Sequence, residues 1–399
     1  MKDYSIREVK LSTGEHLPIL VKGGPLGVPC YAVTWFMLVM YRSKGLTANY
    51  IRQLLRAMGM ALEFVEQREV DLVMRVAKGR FLTLDELAGY ADRCRRSGLQ
   101  ESITVVGNSY AALRFRVFIH YINWIAEPII ARIVDDNKRA AANAALLRFL
   151  KRAKSVAPRV DAESPVPGER KGMLLEQREL FLRVIRPDCP ENPFGEKLRL
   201  RNYVLLMLEF ALGPRGGEVR GLKTRDFDFS RYPATVVIHR RHDDPEDTRK
   251  IPAQAKTRGR ILELGDELSD AVSDWIMTQR SDKNMFPQAR KNPYLITNYR
   301  GEPMGDRGFR QVIETLRRHY PQLGQLCHQM LRHDWNERYT EDAEEHGDDQ
   351  SISRRDQIYA MGWKPHSTMP EHYAAGAIEK STNKKILRMQ AKDLYKEPK

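Results

Sequence analysis

A run of 21 residues at positions 151–171, KRAKSVAPRVDAESPVPGERK, interrupts this chain and limits how it can fold. The run holds three prolines and many charges but no apolar periodicity that could build a core, so we interpret it as a linker. A chain of 399 residues is too long for one compact core and suits two domains. We therefore expect residues 28–150 and 172–399 to fold as separate domains, with residues 1–27 as a small appendage.

Apolar periodicity predicts a hairpin followed by helices in the first part of the chain. Residues 4–21 alternate around a turn signal, which is typical of a β-hairpin. In residues 28–150, apolar side chains recur at three- and four-residue steps, which predicts a helical domain. Helix starts are indicated by Thr47 and by the capping box of Thr83 and Glu86. The helix predicted at 109–125 has an apolar face, and three polar side chains lie mostly outside it: Arg114, Arg116 and His120. We expect them to be available to a partner.

The second domain is predicted to be mostly α-helical with a small antiparallel β-sheet. Helices are expected around 174–185 and 198–212 and through most of the C-terminal part. The strand-like segments are 226–229, 235–240 and 260–264. The acidic run at 341–349 is interpreted as a solvated loop.

The charge of the chain indicates an anionic partner. Lysine and arginine exceed aspartate and glutamate by 66 to 52, a net charge of +14, as expected of a surface that neutralises phosphates. Net charge alone leaves open a basic protein without such a partner. The apolar run at 30–41 is too short to span a membrane, and the N-terminus has no signal-peptide core. The four cysteines lie far apart, so we expect neither disulfides nor a zinc cluster, and a cytoplasmic protein.

Several classes of chemistry lack their motifs. The segment GPRGGE at 213–218 has no lysine to reach a nucleotide phosphate, which argues against an ATP-driven enzyme. His328 and His333 lie about 140° apart around a helix and cannot bind one metal from the same face. The sequence contains no H-E-x-x-H and no G-x-S-x-G. We therefore expect no cofactor and no metal.

A set of cationic segments ahead of a C-terminal tyrosine remains. They are GPRGGEVRGL at 213–222, KTRGRILEL at 256–264, LRH at 331–333, MGW at 361–363, and then Tyr373. Their order and approximate spacing resemble those of the tyrosine recombinase (phage integrase) family. The resemblance implies a two-domain DNA clamp, with residues 28–150 as a helical core-binding domain and residues 172–399 as an α+β catalytic domain. It also implies a site-specific recombinase of a mobile genetic element, which binds duplex DNA and assembles as a tetramer on paired sites.

The resemblance assigns roles that suit the chemistry of a phosphodiester. Arg215 and Arg332 would clamp the non-bridging oxygens, where negative charge grows during attack. Tyr373 would attack phosphorus and form a 3′-phosphotyrosyl link, which a 5′-hydroxyl reverses without ATP or metal. Lys256, on a mobile hairpin, would protonate the leaving 5′ oxygen, and the indole N–H of Trp363 would face the phosphate.

Some assignments have competitors within the sequence. The family usually has histidine or lysine three residues before the second arginine, but here that position is Gln329 and a histidine precedes it, at His328. Register favours Gln329, and helical geometry allows either. Arg258 and Arg260 compete with Lys256, whereas Glu218 is expected to pair with a nearby cation rather than take part in the chemistry. The tyrosines that compete with Tyr373 are Tyr339, Tyr359 and Tyr395.

Two other functions fit the same motifs. A type IB topoisomerase-like enzyme would share the cleavage chemistry and reseal the same strand. A catalytically inactive DNA-binding accessory protein is favoured by Gln329. The sequence leaves open whether partner recombinases are required. The segment between Arg332 and Trp363 is longer than usual because of residues 341–349, which would be either a loop for a protein partner or tolerated surface.

Overall fold

The computed structural model describes residues 3–97, 105–160, 172–241, 243–255, 257–370, 382–383 and 385–390. The chain divides into two units, Met1–Ser164 and Pro165–Lys399. The division falls within the segment 151–171, whose prolines and charges predict a linker. Each unit contains a three-stranded antiparallel sheet and is otherwise mainly helical, so the predicted fold class is confirmed. Within the described ranges, no helix has the length and hydrophobicity needed to cross a bilayer.

The first unit consists of a small sheet and six helices among its described residues. Its strands are β1 Tyr4–Lys10, β2 His16–Lys22 and β3 Val28–Pro29. Its helices are α1 Tyr31–Met37 (continued by a π-helical turn, Leu38–Arg42), α2 Ala48–Glu66, α3 Leu72–Ala77, α4 Leu84–Arg95, α5 Asn108–Ala131 and α6 Asp136–Val156. The predicted caps are confirmed, since the Thr47 hydroxyl accepts from the Tyr50 backbone N–H and Thr83 and Glu86 form the capping box of α4.

The predicted N-terminal hairpin is confirmed, but it is not a separate appendage. Strands β1 and β2 pair from Tyr4 opposite Lys22 to Lys10 opposite His16. The sheet packs on α2 so closely that a Cβ at Gly59 would lie 3.2 Å from the Cβ of Tyr4. Leu20 belongs to the same buried cluster as the helices. The apolar face of β2 explains the difference, because it can be covered only by packing on a helix.

The linker prediction was wrong at its start. Helix α6 continues to Val156, so residues 151–156 are helical. The reason is burial, since Phe149 and Ala153 lie one helical turn apart on the face of α6 that packs in the core.

Two side chains predicted to be available to a partner are used inside the first unit. The Arg114 guanidinium donates to the carbonyl oxygens of Cys94 and Arg96, at 3.0 and 2.9 Å. The Nδ1 atom of His120 lies 2.9 Å from the Tyr41 hydroxyl oxygen. Arg116 is exposed, as expected.

The second unit surrounds one large apolar core. Its α-helices are α7 Leu175–Val184, α8 Glu196–Leu212, α9 Gly216–Gly221, α10 Asp266–Asp274 (continued by a π-helical turn, Trp275–Gln279), α11 Asp306–His319, α12 His328–His346 and α13 Gln350–Met361. Short 3-10 turns lie at Thr224–Asp226, Ala289–Lys291 and Pro321–Leu323. The strands are β4 Phe227–Asp228, β5 Thr235–Ile238 and β6 Arg260–Glu263, with β5 in the centre. All three predicted strands form, each slightly shorter than expected.

The acidic run is not a loop. Its first residues, Glu341–His346, are the last turns of α12, which ends at Gly347 with a φ of +71°. Asp349 then caps α13 by accepting from the backbone N–H groups of Ser351 and Ile352. Glutamate and alanine are good helix formers, and this propensity outweighs the repulsion of neighbouring carboxylates. The longer segment before Trp363 is therefore a helical hairpin.

Candidate active site

Arg215 lies where two helices of the second unit meet. Helix α8 ends at Gly213 in the left-handed conformation, and Arg215 is the N-cap residue of α9. Its backbone N–H donates to Glu218 Oε2 at 2.8 Å, which fixes the turn. The guanidinium is half-buried, and its Nη1 atom is buried with no hydrogen-bond partner among the described residues. A buried guanidinium N–H without an acceptor is costly, so this side chain is suited to an incoming anion.

Arg332 connects the turn before Arg215 with the turn before Trp363. It is 1% exposed. Its Nη1 donates to the carbonyl oxygen of Gly213 at 2.6 Å, and its Nη2 to that of Met361 at 3.1 Å. The positive charge is thus held in a site largely withdrawn from water, where it acts more strongly on a nearby anion.

Trp363 lies beside that charge. The Arg332 Cζ atom is 5.6 Å from the centroid of the Trp363 ring, within the range of a cation–π contact. Helix α13 ends at Gly362 with a φ of +64°, and the Trp363 backbone N–H donates to the carbonyl of Ile358 at 3.0 Å. The structure therefore brings together the segments of Arg215, Arg332 and Trp363, which are distant in sequence.

Lys256 lies outside the described residues. Arg260, which competes with it for the role of general acid, has a structural partner. Arg260 and Glu218 form a buried bidentate ion pair with N–O distances of 3.1 and 3.0 Å. The Arg260 Nε also donates to the carbonyl of Ala360 at 2.6 Å. The prediction that Glu218 pairs with a nearby cation is confirmed, and Arg260 is occupied by that pair. Arg258 is exposed.

His328 and Gln329, at the start of α12, have different environments. His328 Nδ1 lies 2.6 Å from Glu209 Oε2 and its Nε2 lies 2.9 Å from the carbonyl oxygen of Phe309. The imidazole also stacks on the Phe309 ring at a centroid distance of 3.6 Å. Burial raises the pKa of Glu209. Gln329 is exposed, whereas both ring nitrogens of His328 face the interior.

Tyr373 and Tyr395 lie outside the described residues, but two competing tyrosines have structural partners. The Tyr359 hydroxyl accepts from the Ile261 backbone N–H at 3.3 Å and donates to the Ile261 carbonyl at 3.2 Å. The Tyr339 hydroxyl donates to the Ser353 carbonyl at 3.3 Å, and burial raises the pKa of Tyr339. Both hydroxyls thus support the fold around α13.

Two further side chains, which the sequence motifs did not indicate, support the position of Arg332. Trp335 Nε1 donates to the Ala211 carbonyl at 2.8 Å, and a Cβ at Gly213 would lie 2.9 Å from Trp335 Cγ. Asn336 Nδ2 donates to the Arg332 carbonyl at 2.7 Å. Their helical spacing of three and four residues from Arg332 was a usable signal.

A cavity of about 560 Å³ borders Trp363 on the side of β6 and α13. Its lining includes Arg258, Arg354, Arg355, Tyr359, Trp363 and His366. Arg354 donates to the Ser367 carbonyl, and Arg355 pairs with its neighbour Asp356. The surface next to the candidate site is therefore concave and rich in guanidinium groups, which suits a polyanion.

Comparisons with known proteins show a similarity that lies in the second unit. Residues 187–378 match the phage integrase family. Tyrosine recombinase XerC of Halalkalibacterium halodurans is 27% identical over 210 residues, covering 51% of this chain and 61% of the relative. XerC of Bacillus pumilus is 26% identical over 142 residues, covering 36% and 40%. The chain thus spans less than two thirds of the length of these relatives.

One solved structure supports the fold over most of the chain. The Tn1549 transposon integrase, in complex with transposon right end DNA, matches with a TM-score of 0.54 and 16% identity. The match covers 90% of this chain and 99% of the integrase chain. At this identity, the likeness concerns the fold alone.

Proposed function

Since residues 187–378 match the phage integrase family, we propose that this chain is a site-specific tyrosine recombinase of that family. It would cleave and rejoin DNA strands through a covalent 3′-phosphotyrosyl intermediate. The observation that carries this proposal is the arrangement of two guanidinium groups. Arg215 is half-buried, and its Nη1 atom has no hydrogen-bond partner among the described residues. Arg332 is buried and donates to the Gly213 carbonyl, in the turn before Arg215.

The chemistry follows from the charge of the reacting group. When the Tyr373 oxygen attacks phosphorus, negative charge grows on the non-bridging oxygens, and the half-buried guanidinium of Arg215 stabilises it. The buried charge of Arg332 adds to the same field. The tyrosine hydroxyl has an ordinary pKa of about 10, and a cationic pocket favours its phenolate form.

Cleavage also requires a proton for the leaving group. As the bond from phosphorus to the 5′ oxygen breaks, the Lys256 ammonium donates a proton to that oxygen. Ligation is the reverse reaction, in which a 5′-hydroxyl attacks the phosphotyrosine and Tyr373 leaves. Because the phosphodiester energy is kept in the covalent link, no ATP is required. Because the cationic side chains stabilise the negative charge and favour the phenolate, the step requires no metal ion.

Duplex DNA is the proposed partner, with tetramers forming on paired sites in the cytoplasm. The Tn1549 integrase, which shares the fold, was captured with transposon DNA. Residues 385–390 carry the exposed apolar side chains Ile386, Leu387 and Met389, which suit a contact between protomers. Integration or transposition of a mobile element is the proposed setting.

The experiment is covalent trapping on DNA of unknown sequence. The substrate is a library of DNA duplexes, each with a nick surrounded by random sequence. The nick lets the short cleaved strand diffuse away, so the covalent intermediate cannot religate. The library is incubated with the full chain and then treated with detergent. We expect a detergent-resistant protein–DNA adduct enriched in one sequence. Binding without any adduct would contradict the proposal and identify an inactive DNA-binding protein.

The recovered sequence then separates the two enzymatic functions. A supercoiled plasmid that carries two copies should yield recombinant circles with the wild-type chain. Relaxation of the plasmid without recombinants would instead indicate a type IB topoisomerase-like enzyme.

A further inference from the structure

The connection between β5 and β6, residues 239–259, is long and is folded onto the second unit by buried charges. The Asp247 carboxylate, which is 1% exposed, accepts from the Arg249 side chain at 2.8 Å and from the backbone N–H groups of Arg249 and Ala253, both at 3.0 Å. Arg249 Nη1 donates in turn to the Arg220 carbonyl of α9 at 2.8 Å. These contacts hold the segment just before position 256 against α9.

This connection approaches α9 closely at Gly217, two residues after Arg215. A Cβ built on Gly217 would lie 2.5 Å from the carbonyl oxygen of Gln254, a distance that no real Cβ tolerates. The obstacle is backbone, not the end of a flexible side chain, so any side chain at this position must displace residue 254. Gly217 therefore sets the spacing between α9 and this connection.

The residues after position 256 are fixed as well. The Arg258 backbone N–H donates to the Gly362 carbonyl at 3.0 Å. A Cβ at Gly362 would lie 2.9 Å from the Arg258 carbonyl oxygen. The described flanks of position 256 are thus packed on the helix of Arg215 on one side and on the turn of Trp363 on the other.

We propose that Gly217 is a positioning residue for protonation of the leaving group. This inference rests on the proposed function. The lack of a side chain at Gly217 allows the Gln254 backbone to approach α9, and this approach sets the lysine at 256 at the right distance from the phosphate held by Arg215. In the step concerned, the bond from phosphorus to the 5′ oxygen breaks, and the ammonium proton of Lys256 passes to that oxygen.

The test uses two glycines of one helix and two substrates. Gly217→Ala forces residue 254 away, whereas a Cβ at Gly221 meets Ala253 at an ordinary 3.9 Å, so Gly221→Ala is the matched control. The substrates carry the DNA site recovered by trapping, with either oxygen or sulfur at the bridging 5′ position. A thiolate leaves without a proton, so the sulfur substrate bypasses the acid.

We expect Gly217→Ala to cleave the oxygen substrate at least about 10-fold more slowly than wild type, because an ångström of misplacement is costly in catalysis. On the sulfur substrate it should come within about threefold of wild type, as should Lys256→Ala. Gly221→Ala should match wild type on both substrates, and DNA affinity should be unchanged throughout. Equal losses of Gly217→Ala on both substrates, or no loss on either, would overturn the inference.

A second variant keeps the test valid if Gly217→Ala does not fold, as judged by its thermal melting. Asp247→Asn loosens the same connection without changing the sequence of α9, and it should show the same recovery on sulfur. Equal losses on both substrates would again overturn the inference. Absence of any adduct with the wild-type chain would mean instead that the proposed function fails.

Discussion

The two units differ in the number of charged side chains that they bury. Among the described residues of the first unit, Arg52 is the only buried arginine, lysine, aspartate or glutamate. The described part of the second unit buries thirteen such residues, including Glu218, Arg260 and Arg332. Burying a charge is costly unless partners surround it, and those partners must have a defined geometry. The comparison teaches that apolar packing builds both units, whereas directional contacts between buried charges are added in the second, which carries the candidate site.

The largest change in stability is expected when one member of a buried ion pair is neutralised. Glu218→Gln leaves the Arg260 guanidinium buried without its counter-charge, so we expect the second unit to lose about 3–5 kcal/mol of unfolding free energy. Urea unfolding of the full chain, followed by tryptophan fluorescence, measures the loss, since Trp275, Trp335 and Trp363 lie in this unit.

The matched control is an ion pair on the surface of the first unit. Asp92 and Arg96 are paired but largely exposed, so Asp92→Asn should change the unfolding free energy by less than about 1 kcal/mol. Similar losses for Asp92→Asn and Glu218→Gln would show that burial of charge does not distinguish the units.

Two neighbouring residues at the start of α12, Gln329 and His328, allow an exposed side chain to be compared with a partly buried one within the second unit. Gln329 is exposed, so Gln329→Ala should slow cleavage about 10-fold by removing a phosphate hydrogen-bond donor, with little change in stability. The rate of that variant and of wild type should be flat between about pH 5.5 and 8, where a histidine would titrate. Single-turnover cleavage on the nicked substrate gives these rates.

His328→Ala should behave in the opposite way. It removes a ring stacked on Phe309 and leaves the buried Glu209 carboxyl without its imidazole partner, so melting temperature should fall while cleavage by folded protein stays within about threefold of wild type. A larger rate loss for His328→Ala than for Gln329→Ala would assign the phosphate contact to histidine.

A small effect is expected when one hydrogen bond is removed from the core of the first unit. The Tyr90 ring lies 4.7 Å from Phe118 and 5.2 Å from Phe64 between centroids, and its hydroxyl donates to the Arg114 carbonyl at 3.1 Å. Tyr90→Phe keeps the packing and removes the hydroxyl that donates to the Arg114 carbonyl, so it should cost about 1 kcal/mol. Phe118→Ala, which leaves a cavity, should cost about 3–5 kcal/mol in the same unfolding assay. If Tyr90→Phe cost as much as Phe118→Ala, directional contacts would govern this unit too.

The features predicted correctly from sequence are those written in local patterns. Thr83 and Glu86 marked a helix start because a capping box lies within four residues, and β1 and β2 were marked by alternation around a turn. The prediction failed where distant residues decide. Residues 151–156 continue α6 because Phe149 and Ala153 have a core to pack against, which composition cannot reveal.

The candidate site divides in the same way. The motifs placed Arg215, Arg332 and Trp363 in one site, and the structure brings their segments together. The sequence could not show that Arg332 donates to Gly213 and Met361, or that Asp247 holds the connection before Lys256. In a chain with 66 lysines and arginines, an arginine is expected to be solvated, and its burial depends on partners far away in sequence.

The most direct test of the account is to identify the residue that carries the DNA. The trapped adduct is digested with protease and nuclease, and the peptide bearing a nucleotide is sequenced by mass spectrometry. The account predicts a nucleotide on Tyr373 and, with Tyr373→Phe, DNA binding near the wild-type level but no adduct. A nucleotide on Tyr359 or Tyr395, or an undiminished adduct with Tyr373→Phe, would contradict it.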